Sequence, residues 1–163
     1  MRELANFRIS SVEEAARILD YFNGFHDGFI KRIVVESHDE IHTDLSQSTS
    51  GVFDVEIDFA HYNYPKGAEP FHPHNQIVRA EFENVQDIFC DLREGFLGNT
   101  IIRLSIVSAS RRKGGETGTE PCLGLMLGRH FYWEEYRRHE FRESQLFTFT
   151  SATFVEQPTA NLP

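Results

Sequence analysis

The segment VFDVEIDFAHY, residues 52–62, alternates apolar and acidic side chains more regularly than any other part of the chain. Successive side chains of a β-strand point to opposite faces, so this alternation predicts a strand with one buried side and one side facing solvent. The apolar side would consist of Phe53, Val55, Ile57 and Phe59. The other side would carry a stripe of three carboxylates, Asp54, Glu56 and Asp58. A strand with two such different faces is typical of an antiparallel sheet.

Most of the remaining chain also has the sequence pattern of strands. Apolar and β-branched residues recur in segments 29–35, 78–82, 102–106, 123–127 and 147–149. The pattern between these segments predicts hairpins and loops, not helices of the length that links parallel strands, and this favours antiparallel pairing. We therefore expect an α+β fold, predominantly antiparallel β, in which about six to seven strands form a curved sheet or a sandwich.

One helix is predicted near the N-terminus, and it would pack on the sheet. Ser10 or Ser11 can cap it, and the glutamates of its first turn favour the positive end of the helix dipole. Apolar residues then recur at helical spacing until Asn23 and Gly24, which end the helix. The sequence predicts a single domain over residues 1–157, followed by a frayed tail at 158–163.

Two polar segments predict loops. The Ser/Thr-rich segment HTDLSQSTSG, residues 42–51, is typical of a loop or of a weak edge hairpin. The segment SASRRKGGETGTEP, residues 108–121, contains no apolar side chain except Ala109, so we expect an exposed loop there.

Composition limits the partners of the chain. The formal net charge is −9, which disfavours nucleic acid and attracts a basic partner. Its two cysteines, Cys90 and Cys122, are too few for a secreted disulfide scaffold, so we expect both to be reduced. The sequence contains neither a signal peptide pattern nor an apolar stretch of membrane-spanning length. We therefore predict a cytoplasmic protein without a membrane partner.

The segment FHDGF, residues 25–29, places a His-Asp doublet between the helix and the first long strand. Metal-dependent phosphohydrolases use such a doublet for two metal ligands, but they place it within a helical bundle. Here a turn is favoured, because Gly24 and Gly28 permit positive φ angles and Asp27 can bond backbone N–H groups two residues on. Phe25, His26, Asp27 and Gly28 are thus predicted to form a structural motif.

The same residues resemble a family of bacterial proteins. A helix followed by Phe25-His26-Asp27-Gly28 and an apolar strand is similar to the FHD motif of immunity proteins from polymorphic toxin systems. The resemblance covers about fifteen residues, and it departs from the family at Asn23 and Gly24, where Trp and Pro or Ser are more usual. It implies a non-enzymatic inhibitor whose toxin-binding surface lies away from the doublet.

A metal site is the alternative prediction. His61 continues the inward face of the strand that begins at Phe53, and Pro73 would hold His72 and His74 extended. Three imidazoles suit a divalent metal such as zinc, with Glu81 or Asp58 as a fourth ligand or base. The competing interpretation is a polar, solvated loop, because neither geometry nor surrounding groups follow from sequence.

The carboxylate stripe also has two interpretations. Paired carboxylates catalyse acid/base reactions when burial raises one pKa, but an outward strand face normally leaves such groups solvated. A solvated stripe can meet a basic partner, and Trp133 and Tyr136 are further candidate interface residues because aromatic side chains anchor interfaces.

No catalytic motif accompanies these features: the sequence has no nucleophile elbow, P-loop or dinucleotide fingerprint. We therefore expect a non-enzymatic, immunity-like bacterial module that binds another protein and needs no cofactor.

Overall fold

The structure, a computed structural model, describes residues 4–61, 76–88, 100–112, 118–129 and 133–158. Its strands are β1 (Asn6–Ile9), β2 (Phe29–Ser37), β3 (Glu40–Ile41), β4 (Gln47–Ser48), β5 (Phe53–His61), β6 (Gln76–Val85), β7 (Arg103–Arg112), β8 (Thr119–Arg129), β9 (Arg142–Phe149) and β10 (Ser151–Glu156). Its α-helices are α1 (Val12–Tyr21) and α2 (Trp133–Arg137), and a 3-10 turn follows α1 at Asn23–Phe25. Apart from Pro158, the tail predicted to fray lies outside the described residues.

The strands pair antiparallel in three sheets. The largest has five strands in the order β1-β10-β6-β5-β2, and a second has the order β7-β8-β9. The third is the short β3-β4 pair. This architecture confirms the α+β, antiparallel prediction, but the expected number of strands was too low: the described residues form ten. One reason is that the chain bends at Thr150, so β9 and β10 belong to different sheets although their sequence reads as one strand.

The predicted helix cap is confirmed. The Ser11 hydroxyl accepts a hydrogen bond from the Glu14 backbone N–H at 3.2 Å, and the Glu14 carboxylate accepts one from the Ser10 N–H at 2.7 Å. The first of these bonds satisfies a donor that the first turn of a helix leaves open, and the second ties the residue before the cap to the helix. The inward face of α1 buries Ala15 and Ile18. With ten and five residues, the two α-helices of the described chain are too short to cross a membrane.

The core is aromatic. Phe82 of β6 contacts two rings of β9, with centroids 4.9 Å from Phe147 and 5.0 Å from Phe149. Phe154 of β10 lies 5.9 Å from Phe82 and 6.4 Å from Phe22, which follows α1. The edge-to-face arrangement of several of these pairs is favourable for aromatic quadrupoles. Strands of both large sheets and the helix therefore share one apolar interior.

The prediction of an exposed loop at 108–121 was wrong at both ends of the segment. β7 continues to Arg112 and β8 begins at Thr119, so the described ends of this segment are paired strands. Arg111 explains why so polar a sequence forms a strand. Its side chain is 6% exposed and its Nε donates to the Glu120 carboxylate at 2.7 Å, which leaves a buried cation with a partner.

Candidate functional site

The FHD segment forms a tight turn between α1 and β2. Phe25 and Asp27 both have positive φ angles, 56° and 66°, and Phe25 is fully buried. The Asp27 N–H donates to the Ile101 carbonyl at 3.0 Å, and the Ile101 N–H donates to the Gly28 carbonyl at 2.8 Å. The Asp27 carboxylate itself lies 3.0 Å from the Nδ1 of His26, with both side chains about half exposed. The doublet thus lies on the outside of a turn whose backbone is tied to the start of β7.

His61 lies beneath this turn. Its side chain is 1% exposed, and its Nε2 lies 2.7 Å from the Phe22 carbonyl oxygen, to which it donates. The His61 and Phe25 rings are in contact, with centroids 5.2 Å apart and their planes tilted by 35°. Burial lowers the pKa of His61 from 6.5 to about 4, so the imidazole is neutral at pH 7. The turn therefore lies against a buried, neutral imidazole, which the alternative prediction from the sequence placed in a metal site.

The three-histidine metal cluster stays a prediction, because His72 and His74 lie outside the described residues. A metal bound through the Nε2 of His61 would have to replace the hydrogen bond to Phe22. The proposed supporting carboxylates do not come close to this imidazole. Glu81 and Asp58 lie on the charged face of the sheet, whereas His61 lies on the core face of β5.

The carboxylate stripe of β5 is not uniformly solvated, which corrects the sequence-based interpretation. Exposure of its side chains falls from 54% at Asp54 through 26% at Glu56 to 10% at Asp58. β5 is an interior strand, so side chains from both neighbours cover it. Arg79 of β6 binds both Asp58 carboxylate oxygens, at 2.8 and 3.2 Å, and Arg32 of β2 lies 3.5 Å away.

The Arg79 hydrogen bond is the main reason that the pKa of Asp58 lies below its ordinary value, and the charges of Arg79 and Arg32 act in the same direction. Asp58 is thus an ionised carboxylate held in a structural ion pair, as one expects when opposite charges surround a partly buried acid. At the Asp58 end of the stripe, the negative charge is therefore paired with Arg79 and Arg32 of the protein itself.

The open end of the stripe forms an acidic groove of about 370 Å³. Its charged lining consists of five carboxylates and one guanidinium: Glu36, Asp54, Glu56, Glu81, Glu83 and Arg32. Val34, Val55 and Phe82 complete the lining. Three neighbouring strands, β2, β5 and β6, supply these residues, so the groove runs across the solvent face of the large sheet.

Two like charges face each other in the acidic groove. Glu56 of β5 and Glu81 of β6 are direct cross-strand partners, an arrangement that destabilises a sheet. Arg32 bonds to Glu56 and Arg79 lies 3.5 Å from it, which relieves one member of the pair. Within the described ranges, neither Glu81 nor Glu36 forms an ion pair. Arg8 lies 3.1 Å from Glu83 and His38 lies 2.9 Å from Asp54, so Glu36 and Glu81 are the groove carboxylates that have no ion-pair partner in the described part of the chain.

The sequence missed Glu36, Glu83 and the two arginines. The outward residues of β6 could have been read from its alternation, because Val78, Ala80 and Phe82 mark the inward face. The pairing of Glu56 with Glu81 depends on the register between two strands, which alternation alone does not give.

The aromatic candidates lie in another part of the fold. Trp133 and Tyr136 belong to α2, which is tied to β9 of the three-stranded sheet by an ion pair of 2.6 Å between Glu135 and Arg142. Tyr136 is 45% exposed, and the Trp133 side chain lies outside the described part of the chain. The structure thus places these two residues on a helix beside the three-stranded sheet, whereas the carboxylate stripe belongs to the five-stranded sheet.

The resemblance of the FHD segment to immunity proteins stays a prediction. No family model, curated protein or solved structure matches the chain.

Proposed function

We propose that the protein is a non-enzymatic, immunity-like bacterial module whose acidic groove receives a basic segment of another protein. The observation that carries the proposal is that two groove carboxylates, Glu36 and Glu81, have no ion-pair partner among the described residues, and that Glu81 directly faces Glu56 on the neighbouring strand. A lysine or arginine side chain placed between the two opposed carboxylates would turn a repulsion into two attractions.

The character of the lining favours a cationic ligand. Pockets for small organic molecules are mostly apolar with a few polar groups, whereas this groove is lined mainly by carboxylates. It also lies open on the face of a sheet, a shape that suits an extended segment or a side chain from a larger partner. The net charge of −9 would attract such a partner over a distance and raise the rate of association.

The resemblance of Phe25-His26-Asp27-Gly28 to immunity proteins adds the class of partner, a toxin that the protein neutralises. In that case the FHD turn is part of the architecture and the groove is the inhibitory surface. The two lie in different places: His26 is at the turn between α1 and β2, and the groove is on the solvent face of the sheet.

The test uses two double variants with the same change in net charge. Glu36→Gln with Glu81→Gln removes groove carboxylates that make no ion pair among the described residues, so the fold should be retained. Glu13→Gln with Glu134→Gln removes two exposed carboxylates from the helices and serves as the matched control.

Each immobilised protein is offered the basic proteins of a cell extract, and the affinity of the identified partner is then measured by titration calorimetry. We expect the groove variant to bind roughly tenfold or more weakly, as expected when two ion pairs of about 1 kcal/mol each are lost. The control should bind within about twofold of the unaltered protein. Equal binding by all three proteins would show that the groove does not bind the partner.

A further inference from the structure

β2 and β5 continue beyond the five-stranded sheet as a two-stranded arm, residues 38–52. The His38 N–H donates to the Val52 carbonyl at 3.1 Å, and the β3-β4 pair follows towards the tip. At the tip, the N–H groups of His42 and Leu45 donate to the carbonyls of Ser46 and His42, each at 2.9 Å. Every residue from 38 to 51 is exposed. The arm is thus a hydrogen-bonded ribbon that stands out from the sheet.

The arm carries apolar side chains where solvent surrounds them. Leu45 is 84% exposed and Ile41 is 74% exposed, more than any other large hydrophobic residue in the described chain. Leu45 also has a φ of 67°, a left-handed conformation that glycine or asparagine adopts more readily than leucine. The Asp44 carboxylate fixes the turn by accepting hydrogen bonds from the N–H and hydroxyl of Ser46, at 2.9 and 2.6 Å.

Such an arrangement is unusual for a side chain without a partner. Exposed apolar groups are common singly, but here a leucine occupies a backbone conformation that disfavours it, at the end of a projecting ribbon. Contact with solvent does not offset the unfavourable backbone conformation of Leu45. Burial in an apolar cleft of a partner would offset it, because burial of such side chains is the main favourable contribution at interface anchors.

Charge indicates what kind of partner the arm meets. The arm, residues 38–52, contains no Lys or Arg and three carboxylates, Asp39, Glu40 and Asp44. Two such acidic arms would repel each other, so a symmetric contact between the arms of two copies is disfavoured. Glu36 and Asp54 lie at the base of the arm and also line the acidic groove, so the arm and the groove form one continuous acidic surface.

We propose that the basic protein received by the acidic groove also takes Ile41 and Leu45 of the arm into an apolar cleft on its own surface. This inference rests on the proposed function, since it gives the same partner a second point of attachment. The carboxylates around the tip would orient the arm towards a positively charged cleft, and the two apolar side chains would hold it there.

The variants that test the arm are chosen to keep its fold. Leu45→Asn removes the apolar group at a position where asparagine tolerates the positive φ, and Ile41→Thr keeps a β-branched side chain on the exposed strand. Thr43→Ser is the matched control at the tip. All three variants should have the thermal midpoint of the unaltered protein to within a few degrees.

The first measurement is photo-cross-linking, with a diazirine amino acid in place of Leu45 and, as the control, in place of Thr43. Each protein is mixed with the basic proteins of a cell extract that bind to a cation exchanger, and the products are identified by mass spectrometry. We expect cross-links to a basic protein in excess at position 45, mapped to apolar residues of that protein. Cross-links that are no more frequent at position 45 than at position 43, or only to a second copy of the chain, would overturn the inference.

The second measurement is the affinity for the identified basic protein. Loss of one buried aliphatic side chain should weaken binding by roughly tenfold to a hundredfold in Leu45→Asn, with a smaller loss in Ile41→Thr and none in Thr43→Ser. If Leu45→Asn binds normally while Glu36→Gln with Glu81→Gln does not, the arm inference is wrong and the groove proposal stands. If neither variant affects binding, both are wrong.

Discussion

Lowering the pH from 7 to 5 is expected to destabilise the protein through His61. Burial lowers the pKa of this imidazole from 6.5 to about 4, although the hydrogen bond to Phe22 and the charge of Asp27 act in the opposite direction. Between these two pH values the unfolded chain binds a proton that the folded protein does not. The free energy of unfolding therefore decreases as the pH falls below 6.5, and this decrease ends near pH 4.

The size of the effect follows from the same values. One pH unit corresponds to about 1.4 kcal/mol, so at pH 5 the contribution of His61 is a loss of about 2 kcal/mol. The measurement is urea denaturation at both pH values, of the unaltered protein and of His61→Gln. Glutamine keeps an N–H donor for the Phe22 carbonyl but does not titrate. The variant should therefore lose about 2 kcal/mol less than the unaltered protein between pH 7 and pH 5.

The comparison between the two proteins isolates His61, because all other titrating groups are common to both. A loss of stability that is equal in both proteins to within about 0.5 kcal/mol would refute the reasoning. It would mean that the imidazole accepts a proton in the folded state as readily as in the unfolded chain, which is incompatible with its burial beneath the FHD turn.

Three further predictions concern the turn, the ion pair and the metal site. Gly28→Ala should unfold at lower urea concentration than Gly118→Ala, because a Cβ at position 28 would lie 2.9 Å from the Phe25 carbonyl oxygen, whereas a Cβ at position 118 would have open space and no positive φ to strain it; equal losses would contradict this. Asp58→Asn should lose about 2 kcal/mol at pH 7, since it removes the charged partner of Arg79, and a loss below about 0.5 kcal/mol would show that solvent replaces the pair. In the unaltered protein that contribution is complete above the ordinary pKa of Asp58 and disappears as the pH falls through its lowered value. The alternative metal site predicts about one zinc per chain by elemental analysis, lost in His72→Ala, and metal at background in the purified protein would end that alternative.

The sequence predicted the strands that alternate and missed what depends on their pairing. The inward face of β5 is buried as expected, with Val55, Ile57 and Phe59 each at most 2% exposed. The burial of Asp58 could not be predicted, because it results from Arg32 and Arg79 on the two flanking strands. A period of two gives the face of a side chain but neither the neighbouring strand nor the register.

The sequence also did not predict strands that consist mainly of polar residues. Segment 108–121 has almost no apolar residues, so no hydrophobic alternation marks the ends of β7 and β8. Those strand ends are fixed by backbone pairing and by Arg111, which is buried against Glu120. For the same reason, the Ser/Thr-rich segment 42–51 was compatible with either a loop or a hairpin. The hydrogen bonds at the tip of the arm show that it forms a hairpin.

The most direct test of the acidic groove is a titration of the isotopically labelled protein with an arginine hexapeptide, followed by amide chemical shifts. We expect saturable shifts concentrated at Val34, Glu36, Glu56 and Glu81, which weaken as salt is added and are lost in Glu36→Gln with Glu81→Gln. Shifts of similar size at α1, whose first turn is also acidic, or shifts that the groove variant retains, would contradict the central claim that this groove is the site for a basic partner.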